Sequence, residues 1–243
     1  MKVLVINGSP SGTKGKTWWV LERFIKGMQE AGADVTIIHL AEKKIHPCTG
    51  ELACWFKVPG KCTHNDDMNE ILLKYEDAEA LVVATPVYVD GMTGILKNCM
   101  DRLVPTVEPF FELREGHTRH PKRLNSPSRL ALVSVCGFPE IDNFGPLVHH
   151  IQAICRNMNA TYAGAVLRPA APGLNASAIY HPFKTRAVSN AIKNAGVEFI
   201  RDGMISDETS KACSAEVFSA EQYINGANRE FEKILKKLEQ SRK

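Results

Sequence analysis

Val3-Leu4-Val5-Ile6-Asn7-Gly8-Ser9-Pro10-Ser11-Gly12-Thr13-Lys14-Gly15-Lys16-Thr17 is the stretch on which the fold turns. The short apolar run Val3–Ile6, closed by a Gly-Ser-Pro turn, predicts a strand buried on both faces. From Thr17 the period changes: Trp18, Leu21, Phe24, Ile25 and Met28 recur at helical spacing, and Gly32 stops the helix. The turn between strand and helix is built of small and hydroxylated residues. Its N–H and O–H groups can surround an anion, and the helix N-terminus adds a favourable field. One reading is a nucleotide loop, because Pro10–Thr17 matches G-x-x-x-x-G-K-[ST] except at the first position. Pro10 fixes φ there and has no N–H to donate. The strand ends Ala84-Thr85-Pro86 and Val135-Cys136-Gly137 also offer no acid for magnesium. The others are a cradle for a monophosphate and a plain capping turn.

Further strands are expected at Val35–Leu40, Ala80–Ala84, Leu130–Val135 and Tyr162–Leu167. Helices are expected from Asp66-Asp67 through Tyr75 and over Thr93–Leu103, Ile141–Met158 and Thr185–Ile200. Strands alternating with helices give βαβ units and a parallel sheet. The pattern predicts an α/β fold, a flavodoxin-like doubly wound five-stranded parallel sheet with helices on both faces. Ligands of such sheets sit at the carboxyl ends of the strands. That selects three loops: Asn7–Thr17, Thr85–Thr93 and Cys136–Glu140.

Apolar residues make up 44% and charged residues 23%, as in ordinary globular chains, which excludes a disordered protein. The net charge of +3 is too small for a nucleic-acid partner, and no apolar run is long enough for a membrane span. Seven cysteines without an export signal predict free thiols or a metal site in the cytoplasm. Pro105–Pro127 is a long connection with Phe110, Phe111 and several basic residues, read as an active-site or subunit-contact loop or a solvated excursion. Near the C-terminus, Ser219 and Gln222 form a capping box. Tyr223, Ala227, Phe231, Ile234 and Leu238 then make one apolar stripe, suited to the chain's own sheet or to a sister subunit.

Gly8-Ser9-Pro10 with Lys16-Thr17 resembles the G-S-P-R…N-[TS] loop of flavodoxin-like NAD(P)H-dependent FMN reductases, with Ser11 in place of Arg and Lys16 in place of Asn. Thr85-Pro86-Val87-Tyr88-Val89-Asp90-Gly91-Met92-Thr93-Gly94, followed by Lys97 and Asp101-Arg102, resembles the family's T-P-V-Y segment. The resemblance implies an FMN phosphate held by Ser9, Ser11, Gly15, Lys16, Thr17 and Trp18. It implies that the flavin ring lies along Thr85, Pro86, Val87, Tyr88, Asp90 and Gly91, and that Cys136, Gly137 and Phe138 form the third contact. Tyr88 offers a face for stacking and a phenol for a hydrogen bond, Pro86 stiffens the loop, and Gly91 allows close backbone approach.

The stretch Cys48-Thr49-Gly50-Glu51-Leu52-Ala53-Cys54, with Cys62 beyond it, resembles the cluster loop of the iron–sulfur flavoprotein branch. In that branch Glu51 would be a cysteine. Carboxylate suits such a cluster poorly, so the loop, with Cys48, Cys54 and Cys62, is expected to persist with its cluster absent or labile. A Cys₃His zinc set adding His64 and a purely structural role for the thiols are the alternatives.

The resemblance implies an enzyme that passes reducing equivalents from the co-substrate NAD(P)H through FMN to a small acceptor, such as free flavin or a quinone. An electron carrier docking to a redox partner is the second reading. No catalytic acid or base is named, because the cofactor does the chemistry. A homodimer or homotetramer is implied, with the FMN-binding unit over 1–203, including the loops 43–65 and 105–127, and a C-terminal helical extension over 204–243.

Overall fold

The computed structural model describes residues 1–241. Strand β1 (Lys2–Asn7) leads through the Gly-rich turn into α1 (Lys16–Glu30), and β2 (Asp34–His39) follows. A short helix, α2 (Ala53–Phe56), interrupts the cysteine loop before α3 (Met68–Asp77). Next come β3 (Ala80–Pro86), α4 (Gly94–Asp101) and a small hairpin of β4 (Glu112–Arg114) and β5 (His117–Arg119). The chain continues through β6 (Arg129–Val135), α5 (Gly145–Met158), β7 (Thr161–Arg168), α6 (Leu174–Tyr180), α7 (Pro182–Arg201), α8 (Asp207–Cys213) and α9 (Ala220–Gln240).

Five strands form one parallel sheet in the order β2-β1-β3-β6-β7, with a register irregularity only between Leu130 and Leu132. This is the flavodoxin-like doubly wound arrangement, and its switch point lies where β1 sits between β2 and β3. Period-two alternation sorts the side chains. Val3 and Val5 face α1 and α7, whereas Leu4 and Ile6 face α3, α4 and α5. Ile205, Cys213 and Val217 join the α1–α7 side of the core.

Several elements differ from the sequence-based expectation. The connection 105–127 is not plain loop, because Glu115 and Gly116 turn the hairpin, both at positive φ. The helix expected from Ile141 starts as a 3₁₀ turn, and the α-helix begins at Gly145 with Pro146 in its first turn, where a missing N–H costs nothing. Helices α2, α6 and α8 have too few turns to show a period in the sequence. Among the described residues no helix is long and apolar enough to cross a membrane.

Helices α1 and α7 approach unusually closely. A Cβ at Gly27 would lie 1.9 Å from the Lys193 carbonyl oxygen, and one at Gly196 would lie 2.1 Å from that of Phe24. Backbone cannot yield as a side-chain tip can, so the two helices must separate to admit a methyl group. Gly196→Ala is expected to cost about 2–3 kcal/mol, the upper range for overpacking, and urea unfolding measures it.

Candidate functional site

The three selected loops meet at the carboxyl end of the sheet. In the first, Gly12 turns at φ +53° and Ser9 is buried. The Asn7 side chain accepts from the Ser9 N–H at 3.1 Å and donates to the Gly12 carbonyl at 3.3 Å. The Asn7 amide nitrogen also lies 3.0 Å from His39 Nδ1. Gly15 is the N-cap of α1 and brings no side chain to its N–H groups. A Cβ there would lie 3.1 Å from Ser9 Oγ and 3.0 Å from Ser11 Cβ, so the loop closes on itself as a concave cradle. Thr17 is buried beneath it, and Ser11 is exposed at its rim. The Trp18 ring packs edge-on against His39, 5.1 Å between centroids. The Lys16 ammonium donates to Asn175 of α6 at 2.5 Å, and burial lowers its pKa.

The second loop is tied to the first. The Thr93 hydroxyl donates to the Gly8 carbonyl at 2.6 Å and caps α4 by accepting from Leu96 N–H. The Thr93 N–H donates to Thr85 Oγ1 at 3.2 Å, and the Thr85 carbonyl accepts from Ser134 Oγ at 2.7 Å. Val87 N–H bonds the Val135 carbonyl, which joins the third strand end. Tyr88 and Gly91 exchange backbone hydrogen bonds of 3.0 and 3.1 Å around Val89 and Asp90. Both central residues have positive φ, +47° and +60°, as a type I′ turn requires. A β-branched residue there costs on the order of 1–2 kcal/mol, and Val89 is fully exposed, so no packing offsets it. The strained turn presents Tyr88 with half its surface open beside Pro86. Gly91 does not carry the positive φ, and a Cβ on it would meet nothing nearer than 3.9 Å.

In the third loop Cys136 is buried, and its sulfur accepts from Phe138 N–H at 3.4 Å. Gly137 and Phe138 are exposed. Two residues outside the loop fix it: Tyr223, which the sequence shows only as part of an apolar stripe, and Arg168, which it does not mark. Tyr223 of α9 donates its phenol to the Gly137 carbonyl at 2.7 Å. Arg168, buried at the end of β7, accepts from Cys136 N–H through its carbonyl. Its guanidinium is spent on the carbonyls of Cys213 and Ala215. Burial lowers the Arg168 pKa to about 10.

The cysteine loop lies beside α4. Cys48, Glu51, Cys54, Cys62 and His64 line one cavity with Arg102. Among the described residues no three His, Cys, Asp or Glu side chains are placed to hold a metal ion. Burial raises the Cys54 pKa, and Cys62, Glu51 and Cys48 raise it further. Glu51 accepts from the hydroxyls of Thr49 and Thr63, which with its own backbone N–H lower its pKa to about 2. The loop is clamped by a buried bidentate pair, Arg102 to Asp66 at 2.9 and 3.0 Å. Burial opposes the Asp66 charge, but Arg102, the His46 and Met68 N–H groups and the His46 ring outweigh it, holding the carboxyl well below the usual range.

Comparison with known proteins identifies the class. Residues 1–120, just under half of the chain, match the NADPH-dependent FMN reductase family. An iron-sulfur flavoprotein of Archaeoglobus fulgidus is 40% identical over 102 residues, 42% of this chain and 48% of that protein. One of Methanocaldococcus jannaschii is 38% identical over 114 residues, 47% of this chain and 57% of that protein. The chain thus spans about half the length of the curated relatives it matches. Among solved structures, an FMN-dependent NADH-azoreductase from Bacillus anthracis superposes with a TM-score of 0.61 at 16% identity, covering 82% of this chain and 99% of that one. An NAD(P)H:quinone oxidoreductase from Methanothermobacter marburgensis gives 0.56 at 15%, covering 82% and 96%. These two structures share the fold.

Removing the Asp66 charge strands a buried guanidinium, so Asp66→Asn is expected to cost about 3–5 kcal/mol at neutral pH. Because the folded carboxyl has the lower pKa, its contribution is fully present above about pH 4 and is lost as the pH falls through the folded-state value. Denaturant unfolding of both proteins should show the gap closing in acid.

Proposed function

We propose that this chain is an FMN-dependent oxidoreductase that passes reducing equivalents from NAD(P)H through bound FMN to a small acceptor such as free flavin or a quinone. The observation that carries the reading is the convergence of three loops behind β1, β3 and β6 on one hydrogen-bonded rim. The family of residues 1–120 supports it, as does the shared fold of reductases whose names include FMN.

The cradle fits a phosphomonoester. Ser9, Ser11 and Thr17 bring hydroxyls, Gly15 keeps the floor free of a side chain, and the uncapped N–H groups of Lys16, Thr17 and Trp18 face the loop. Lys16 adds positive charge at the edge of the cradle, held back by Asn175. Thr85, Pro86, Val87, Tyr88, Asp90 and Gly91 would position the isoalloxazine ring, and Cys136, Gly137 and Phe138 would bound it on the third side. FMN, when bound, supplies the two-electron chemistry. The protein's part is to orient the ring, exclude water and leave one face open to a nicotinamide or an acceptor. In this reading residues 1–203 form the FMN unit and 204–243 the extension, of which 242 and 243 lie outside the described residues. The chain would work in the cytoplasm as a homodimer or homotetramer, without a nucleic-acid or membrane partner.

A second reading, an electron carrier docking to a redox protein, draws on the name of the curated relatives, iron-sulfur flavoprotein. The residues present do not fit a four-thiolate cluster. The second ligand position is Glu51, and its carboxylate is engaged by Thr49 and Thr63.

The test is the visible spectrum of anaerobically purified protein, with and without added FMN, followed by NADH and NADPH oxidation with free flavin or a quinone as acceptor. The expected result is a two-band flavin spectrum and acceptor-dependent turnover, with FMN affinity roughly two- to tenfold weaker in Tyr88→Ala. A colourless protein that ignores FMN would overturn the proposal. Broad brown absorbance bleached by dithionite would shift it to the carrier.

A further inference from the structure

Helix α9 is the one long helix among the described residues with no buried residue. It starts firmly, on a full Ser219–Gln222 capping box and the Tyr223 bond to Gly137. Beyond that first turn its apolar residues face solvent: Ile224 is 47% exposed, Phe231 61%, Ile234 46% and Leu238 51%. Around them the helix is strongly charged, so it is neither a core helix nor a uniformly solvated one.

The spacing carries the argument. Ile224, Ala227, Phe231, Ile234 and Leu238 are separated by three, four, three and four residues. That is a heptad a/d spacing, the pattern of two helices wrapped on each other, widened at one point by Leu235, itself 59% exposed. With Ile224, Phe231 and Leu238 at a, and Ala227 and Ile234 at d, the g positions are Glu230 and Lys237 and the e positions are Asn228 and Leu235.

We infer that α9 is a self-association surface whose occupant is α9 of a second copy of this chain, packed antiparallel about a two-fold axis. Charge and size select this arrangement. In a parallel pair, Glu230 at g would face the apolar Leu235 at e of its partner. In an antiparallel pair with a opposite d, the two central layers of the seam pair apolar with apolar, while Ile224 lies opposite Ser241 and Leu235 lies beside Asn228. Phe231 meets Ile234 of the second copy, and the small Ala227 meets the larger Leu238. Each g position meets the other g position, so Glu230 faces Lys237 twice by symmetry. The interface is isologous and closes at two copies. It gives the proposed homo-oligomer a specific surface, and it does not depend on FMN binding. Because Tyr223 anchors α9 to Gly137, the C-terminal end of the second helix would lie beside the turn that holds the third loop.

The test is sedimentation equilibrium of the full chain over a concentration series. The wild type is expected to dimerise, and Phe231→Asp to be monomeric with a circular dichroism spectrum that still shows a folded chain, its melt lowered only by the loss of association. Glu230→Lys and Lys237→Glu should each weaken the dimer about tenfold, equivalent to ~1.4 kcal/mol, and the double variant should restore it. A dimer indifferent to Phe231→Asp would place the interface elsewhere and overturn the inference. A double variant no better than the singles would overturn the antiparallel pairing. A wild type that stays monomeric would overturn the whole proposal, and its co-sedimentation with phosphatidylglycerol vesicles would assign the face to lipid instead.

Discussion

The carboxyl end of the sheet is organised around one buried hydrogen bond, from the Thr93 hydroxyl to the Gly8 carbonyl at 2.6 Å. Gly8 N–H in turn bonds the Ala84 carbonyl, so the loop after β1 is held to the end of β3 from both sides of one residue. A Cβ at Gly8 would fall 2.7 Å from Leu96 Cβ, which is why the approach needs glycine. Thr93 performs three tasks at once: it closes the first loop, caps α4 and positions Thr85. Buried polar groups in such a chain are costly to leave unpaired, so the loops are set as a unit. The concave cradle of the first loop and the open face of Tyr88 in the second are then fixed relative to each other before any ligand arrives.

The cysteine loop has a separate anchor. Arg102 stands at the end of α4 and reaches Asp66 and the His46 carbonyl, tying both ends of the loop together. This explains how the loop keeps its shape although Glu51 replaces a thiol. Its two hydroxyl partners, Thr49 and Thr63, turn the carboxylate into a local hydrogen-bonding hub. The pair is buried, so its charges are compensated by geometry rather than by solvent.

Much of this was legible in the sequence, for physical reasons. The central strands β1, β3 and β6, buried on both faces, write themselves as apolar runs, and the more exposed edge strands β2 and β7 also lie where the sequence indicates. The Gly8–Thr17 turn announces itself by residues that permit tight backbone. The type I′ turn at Val89-Asp90 does not, because neither Asn nor Gly occupies its centre. Lys16 reads as an anion ligand until Asn175, far along the chain, claims its ammonium. Tyr223 reads as the first residue of an apolar stripe, and only the fold shows its phenol pinning Gly137. Arg168 and Arg102 carry charges that periodicity treats as surface, and the fold buries both.

The central claim is that the rim built by Thr93 is what binds FMN. Titrating Thr93→Val with FMN, followed by flavin fluorescence quenching, tests it most directly, with circular dichroism confirming that the variant is folded. The account predicts FMN affinity at least tenfold weaker than wild type, because the first two loops lose the bond that sets their spacing. Equal affinity in a folded Thr93→Val protein would contradict it.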